Sequence, residues 1–300
     1  MSLDIVVMQA FNGLSLFTVL ALMALGLAIV FGLMGVINMA HGELMAMGAY
    51  TTYLTSVIFE RWAPGWLGVY LLIAIALAFG VTFAFGFALE RGFIRFLYNR
   101  PLDTMLATWG LSLMLQQLFR TLFGPREVGV PSPPWLMGAW QPTRSISIPL
   151  SRLFIIGLTV MVGLALYRLL FATRWGLRIR AVTQNRAMSG AVGIDTARVD
   201  AMTFAIGSGL AGIAGSAFTM LASTGPVTGQ QYIVDTFIVV VFGGVESLLG
   251  TYLSAFAIGQ MQSWLEFTLS GSMAKASILL CVIVALYFRP NGLFAVKVRR

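Results

Sequence analysis

The sequence predicts an all-α polytopic membrane protein with about nine membrane segments, including broken or re-entrant helices, in a single domain over residues 1–300. Three observations lead there. The chain is 58% hydrophobic and only 10% charged, with a mean hydropathy of +0.88, whereas soluble chains carry roughly 25% charged residues. Its apolar residues fall into runs of membrane-spanning length, not the short alternating segments of a β-barrel. The basic residues behind the net charge of +8 sit in the gaps between those runs and not on one amphipathic face. That pattern is the positive-inside rule and argues against nucleic acid as a partner.

In chain order, the N-terminal stretch carries Asp4 and no basic n-region. It is expected to remain as a membrane helix, not to be cleaved as a signal peptide. The apolar runs, of which this is the first, fall near 8–34, 42–59, 67–89, 102–123, 150–171, 201–222 and 272–289, each long enough to span. The stretch 232–268, broken at Gly243-Gly244, fits two membrane segments joined by a tight turn, or a re-entrant half-helix followed by a full one. Stripes of small residues, Ala24/Ala28/Gly32 and Gly207/Ala211/Gly215, predict close helix approach. The single cysteine, Cys281, reads as a small packing residue in the last run.

The stretch Phe31 to Tyr50 organises the rest. It sets Asn38, the only histidine (His41) and Glu43 inside an otherwise apolar run punctuated by Gly32, Gly35, Gly42 and Gly48. Polar groups at membrane depth are costly and usually face a cavity, a partner helix or a bundle interior. Either the stretch is a discontinuous helix beside a transport pathway, opened near Gly42, or it is a tight polar turn with His41 capping a helix end. A weak echo, HGELMAMGAY at 41–50 against GGVESLLGTY at 243–252, pairs Glu43 with Glu246, as repeats with broken helices would.

Orientation follows from arginine. Arg91, Arg95 and Arg100 share one gap, Arg174 to Arg198 fill the longest basic one, and Arg289, Lys297, Arg299 and Arg300 close the chain. Placing all three groups in the cytoplasm puts the C-terminus inside and, with nine segments, the N-terminus outside. The segment 124–149, with six of the ten prolines and Trp135 and Trp140, is then an external loop, either a docking surface or an anchored connection. Within 172–200, Thr183 is expected to cap a short helix through Ala191, Gly193 to end it, and Asp195 or Thr196 to cap the next one. This segment is either a force-transmitting helix or an ordinary basic loop.

The chemistry excluded is as informative. Only Lys275 and Lys297 are present, and neither sits in a P-loop, so an ATPase would have to be another chain. One Cys and one His provide no metal cluster, and no nucleophile–base set points to an enzyme. No cofactor is expected.

Four motifs in order, VINMAHGELMAMGAY, LATWGLSLMLQQL (106–118), GLRIRAVTQNRAMSGAVGI (176–194) and VVVFGGVESLLGTYLSA (239–255), resemble the permease subunits of branched-chain amino-acid ABC importers. Within that family they are most similar to the urea-type branch. The resemblance implies a multi-pass permease domain in a bacterial inner membrane. It also implies a second related permease, two cytoplasmic ATPases and a periplasmic solute-binding protein. It makes 172–200 the coupling element, with Arg178, Arg180, Gln184, Asn185, Arg186 and Gly193 toward the ATPase. The substrate pathway is expected to include Asn38, His41, Glu43, Gln116, Gln117, Tyr232 and Glu246, with urea or a short amide recognised by the neutral groups of Asn38, Gln116, Gln117 and Tyr232 and by the Glu43 oxygens. A branched-chain amino acid would ask instead for a carboxylate site and an ammonium site. An ATP-independent channel or carrier would use His41 and Glu43 as a relay.

Overall fold

In lipid, every backbone N–H and C=O must be satisfied within the chain, which leaves helices as the spanning element of an apolar sequence. A computed structural model describes residues 3–98, 100–143 and 146–294. Its helices are α1 (Leu3–Leu27), continued by a π turn over Ala28–Leu33, then α2 (His41–Trp62), α3 (Tyr70–Gly92), α4 (Pro101–Phe123) and α5 (Leu150–Ala172). They continue as α6 (Arg174–Gln184), α7 (Arg186–Ala191), α8 (Thr196–Phe218), α9 (Thr228–Gly243), α10 (Leu248–Thr268) and α11 (Gly271–Phe288). Nine of these, among the described residues, have 16 residues or more. Five are long and apolar enough on their own to cross a membrane: α1 with its π turn, α3, α5, α8 and α11. The other four, α2, α4, α9 and α10, carry Glu43, Gln116, Asp235 and Glu266 respectively. The basic tail residues Lys297, Arg299 and Arg300 lie outside the described residues.

Helix α8 is the centre of the bundle. It is buried almost all round and packs against α1, α2 and α3, while α10 lies along α1. Its small residues make this possible. A Cβ at Gly215 would collide with the Met45 carbonyl of α2, and one at Gly212 with Thr82 of α3. The predicted stripe on α8 is therefore a packing surface, where van der Waals contact replaces the hydrophobic drive that lipid removes. The main core joins Met23 and Leu25 of α1, Leu44 and Met45 of α2, Leu158 and Val162 of α5 and Leu210 of α8. A second joins α1 to α9, α10 and α11 through Leu20, Val239, Ile258 and Ile278.

The segment 124–149 holds a small antiparallel hairpin, β1 (Ala139–Thr143) with β2 (Ile146–Pro149). Trp135 Nε1 donates to the Gly68 carbonyl at 2.6 Å, and the Tyr70 hydroxyl donates to the Pro131 carbonyl. A backbone pair of hydrogen bonds ties Val128 to Thr224. The loop is thus fastened at three points. Cys281 departs from its expected role as a packing residue. It is exposed on α11, because this helix buries only one narrow face, Ala274, Ile278 and Val282.

Candidate functional site

The helix does break within Phe31–Tyr50, but ahead of Gly42. After the π turn, Gly35 takes a left-handed φ of +67°, a conformation that costs other residues about 1–2 kcal/mol. The chain then runs without regular structure to Asn38 and turns through Met39 and Ala40 before His41 opens α2. Gly42 is helical, and its role is contact. A Cβ there would strike the Gly229 carbonyl at the start of α9, and Gly229 in turn faces the Gly42 carbonyl.

A new helix start leaves four backbone N–H groups unpaired. Here the Asn38 carbonyl takes the His41 N–H at 3.3 Å and the Ala40 carbonyl the Glu43 N–H at 3.0 Å; just ahead of α2, Asn38 Oδ1 takes the Ala40 N–H at 3.0 Å and Thr108 Oγ1 of α4 takes the Met39 N–H at 3.0 Å. Glu43 lies in the first turn of α2, where the positive helix end favours an acid. It is buried, and its Oε1 accepts from Gln116 Nε2 at 2.9 Å and from Ser112 Oγ at 3.1 Å. Thr104, Thr108, Ser112 and Gln116 recur every four residues on α4, so one polar stripe faces the break. Leu102, Leu106, Trp109, Leu113 and Met114 occupy its exposed face.

His41 points the other way, as the two-residue spacing from Glu43 requires. Its Nε2 lies 3.2 Å from the Met23 carbonyl of α1. A carbonyl only accepts, so Nε2 carries the proton. Gly26 makes room for the ring: a Cβ there would sit 3.0 Å from Nε2. Asn38 Nδ2, His41 Nδ1 and Glu43 Oε2 are buried without an intrachain partner.

The structure thus gathers Asn38, Glu43 and Gln116 around the break and holds His41 behind it. It does not bring Gln117, Tyr232 or Glu246 to them. Gln117 lies on the exposed face of α4, one residue round from Gln116. Glu246 is exposed in the turn between α9 and α10. That turn nevertheless touches the first break, since a Cβ at Gly32 would collide with the Val245 carbonyl. The sequence echo does not survive in register: Gly42 is helical, whereas its counterpart Gly244 sits at φ +101° before α10 begins. Tyr232 lies on the wall of a separate cavity of about 720 Å³, together with Asp235, Lys275, Arg152 and Glu266.

The segment 172–200 contains two short helices instead of one. Thr173 caps α6 through the Gly176 N–H at 3.1 Å, and Asn185 caps α7 through the Met188 N–H at 2.9 Å. Thr183 is no cap; its hydroxyl donates to the Leu33 carbonyl at 3.0 Å, tying α6 to the π turn. Gly193, at φ +86°, ends α7 as expected. Its N–H reaches the Gly190 carbonyl and that of Ile194 reaches the Ser189 carbonyl, the paired bonds of a Schellman motif. Asp195 then caps α8 through the Arg198 N–H at 3.0 Å.

Arg178, Arg180, Gln184, Asn185, Arg186 and Gly193 are all exposed. Besides the cap at Asn185, two of the three arginines are also occupied within the chain. The Arg180 guanidinium stacks over Phe171. Arg186 pairs with Asp200 at 2.6 Å and stacks over Tyr98 at 5.2 Å. Tyr98 donates in turn to Glu90 Oε1 at 2.5 Å. Burial and that hydrogen bond raise the Tyr98 pKa, so the phenol stays a neutral donor. The network Glu90–Tyr98–Arg186–Asp200, which the sequence reading missed, joins α3, α7 and α8.

An all-helical membrane bundle with a re-started helix and a capped basic segment on one end defines the class of multi-pass solute permeases. The chain belongs to the family described as branched-chain amino acid transport system / permease component, whose model matches residues 9–286. It is 29% identical over 294 residues to the high-affinity branched-chain amino acid transport system permease protein LivH of Escherichia coli K12, covering 95% of this chain and 94% of that protein. It is 28% identical over 293 residues to the corresponding BraD of Pseudomonas aeruginosa, with the same coverage. The ribose import permease protein RbsC of Escherichia coli K12 is more distant, at 25% over 279 residues, covering 85% of this chain and 77% of RbsC. No solved structure matches.

These relatives do not support the urea-type branch expected from the four motifs. Gly42, Gly48 and Gly250 in those motifs are helix-contact residues, so these positions report the scaffold.

Proposed function

We propose that this chain is one permease half of an ABC importer for branched-chain amino acids, driven by ATP hydrolysed on separate subunits. The observation that carries the reading is the family match across 9–286 together with relatives named for branched-chain amino-acid transport over 95% of the chain. The complete importer on this reading has a second related permease, two ATPases at the 172–200 segment and a solute-binding protein on the opposite face. The arginine distribution supports an orientation with the C-terminus and 172–200 in the cytoplasm and the N-terminus in the periplasm of a bacterial inner membrane. A sequence without a P-loop fits a subunit that is moved by, and does not itself hydrolyse, the nucleotide.

The test is uptake by the reconstituted importer in proteoliposomes loaded with ATP. Leucine, isoleucine and valine are expected to accumulate against a gradient, and urea is not. Urea uptake without leucine uptake overturns the reading.

A further inference from the structure

The cavity of about 720 Å³ that includes Tyr232 lies at the hairpin end of the bundle, away from the basic segments. It falls within the size range of small-molecule sites, about 300–1,000 Å³. It is built by six helices, α1, α5, α8, α9, α10 and α11, and by residues far apart in sequence. Leu16, Val19, Leu20 and Phe218 form an apolar wall, and four charged side chains share the rest.

The charges are not equivalent. Lys275 Nζ and Asp235 Oδ2 lie 2.8 Å apart and offset each other. Arg152 and Glu266 have no ion-pair partner of their own among the described residues. Arg152 Nη1 donates to Asn12 Oδ1 at 2.6 Å, which orients the guanidinium and leaves further N–H donors of its fork. Glu266 Oε1 accepts from Gln262 Nε2 at 2.8 Å, which orients the carboxylate and leaves acceptor capacity over. One oriented cation, one oriented anion and an apolar wall therefore line the same space.

We propose that this cavity is a binding site for the zwitterionic solute within the permease, on its way from the outer face. The carboxylate binds Arg152, the ammonium binds Glu266 and the aliphatic side chain lies on the Leu16–Val19–Leu20–Phe218 wall. The proposal rests on the amino-acid reading above and deepens it. Urea has neither charge nor an aliphatic arm and has no use for this arrangement.

The test uses the purified importer complex without its solute-binding protein, with radiolabelled leucine as the probe. Displacement is measured with leucinamide, which lacks the carboxylate, and with 4-methylpentanoate, which lacks the ammonium. Wild type is expected to bind leucine and to discriminate against both analogues. Arg152→Gln should weaken leucine binding at least about tenfold, the cost of one charge-assisted contact, and lose only the preference over leucinamide. Glu266→Gln should lose only the preference over 4-methylpentanoate. Leu16→Trp fills the cavity without touching either charge, and should block leucine binding in a complex that still carries its ATPases.

Leucine import without leucine binding to this complex, or unchanged analogue preferences in folded variants, overturns the proposal and leaves the amino-acid reading standing. So does a variant that keeps its leucine binding and, once the solute-binding protein is added back, loses only its affinity for that protein, since the cavity is then a docking rim. A wild-type importer that moves no leucine overturns both.

Discussion

Gly32 and Val245 meet where the two breaks in the chain touch. The α-carbon of Gly32, in the π turn that ends α1, faces the Val245 carbonyl in the turn between α9 and α10 so closely that a Cβ would collide with it. Three residues on, Gly35 has nothing within 4 Å of its added Cβ but holds φ +67°. One glycine is there for space and the other for conformation. Gly32→Ala should therefore lower the thermal stability of the purified permease by about 1–3 kcal/mol, the usual cost of overpacking. Gly35→Ala should cost about 1 kcal/mol through backbone strain, and Gly35→Asn should recover part of it because asparagine tolerates the left-handed region. Recovery by asparagine at 32, or none at 35, would show these assignments to be reversed.

Glu43 holds α4 to α2, and α4 has few other attachments to the bundle. In Glu43→Gln the side-chain oxygen still accepts from Ser112 and Gln116, and the new amide replaces only Oε2, which has no intrachain partner. That variant should express and transport close to normally. Glu43→Ala removes the acceptor that Gln116 and Ser112 share and leaves these buried groups only their mutual hydrogen bond at 3.2 Å, at about 1–3 kcal/mol, and should lower the yield of folded protein. Normal yield with lost uptake in Glu43→Gln would instead assign Glu43 to the solute pathway.

Much of the architecture could be read from the sequence because membrane burial writes it in long runs. The break at Gly243-Gly244 and the Gly193 helix end were both legible, since each has turn residues on either side of a periodic segment. The exact place of the first break was not. Gly35, needed for its φ, and Gly42, needed for contact with Gly229, look alike in sequence, and only the partner helix separates them. The short helices show the same limit: Thr183 and Asn185 are both capping residues, and it is the reach to the Leu33 carbonyl that claims Thr183. The charged cavity was illegible for a plainer reason. Arg152 and Glu266 are more than a hundred residues apart, and nothing local pairs them.

The proposed orientation has a direct check by cysteine labelling in a Cys281→Ser background, which is needed because Cys281 is exposed. Ser189 is a poor reporter, being buried in α7. Met188→Cys and Met137→Cys are both at exposed positions, 62% and 70% respectively. A membrane-impermeant maleimide added to intact spheroplasts should label position 137 and reach 188 only after lysis. Labelling of 188 from outside would invert the topology.

Arg186 and Arg178 separate folding from docking. Arg186 pairs with Asp200, whose side chain is only 8% exposed, while Arg186 itself is 50% exposed. The pair therefore lies between surface ion pairs, worth about 0–1 kcal/mol, and fully buried ones, where breaking costs about 3–5 kcal/mol. Arg186→Glu sets two carboxylates together beside Glu90 and should destabilise the permease by about 2–3 kcal/mol. Adding Asp200→Arg should restore part of that loss, and the double-mutant cycle isolates the pair. Arg178, exposed and without an intrachain partner among the described residues, should leave stability within about 0.5 kcal/mol when reversed to Glu. If the 172–200 segment seats in an ATPase, Arg178→Glu weakens ATPase association or solute-stimulated hydrolysis in a permease of normal stability. Normal association and normal stimulation in Arg178→Glu, alongside a destabilised Arg186→Glu, would make this end of the bundle a structural clasp and move the coupling contact elsewhere.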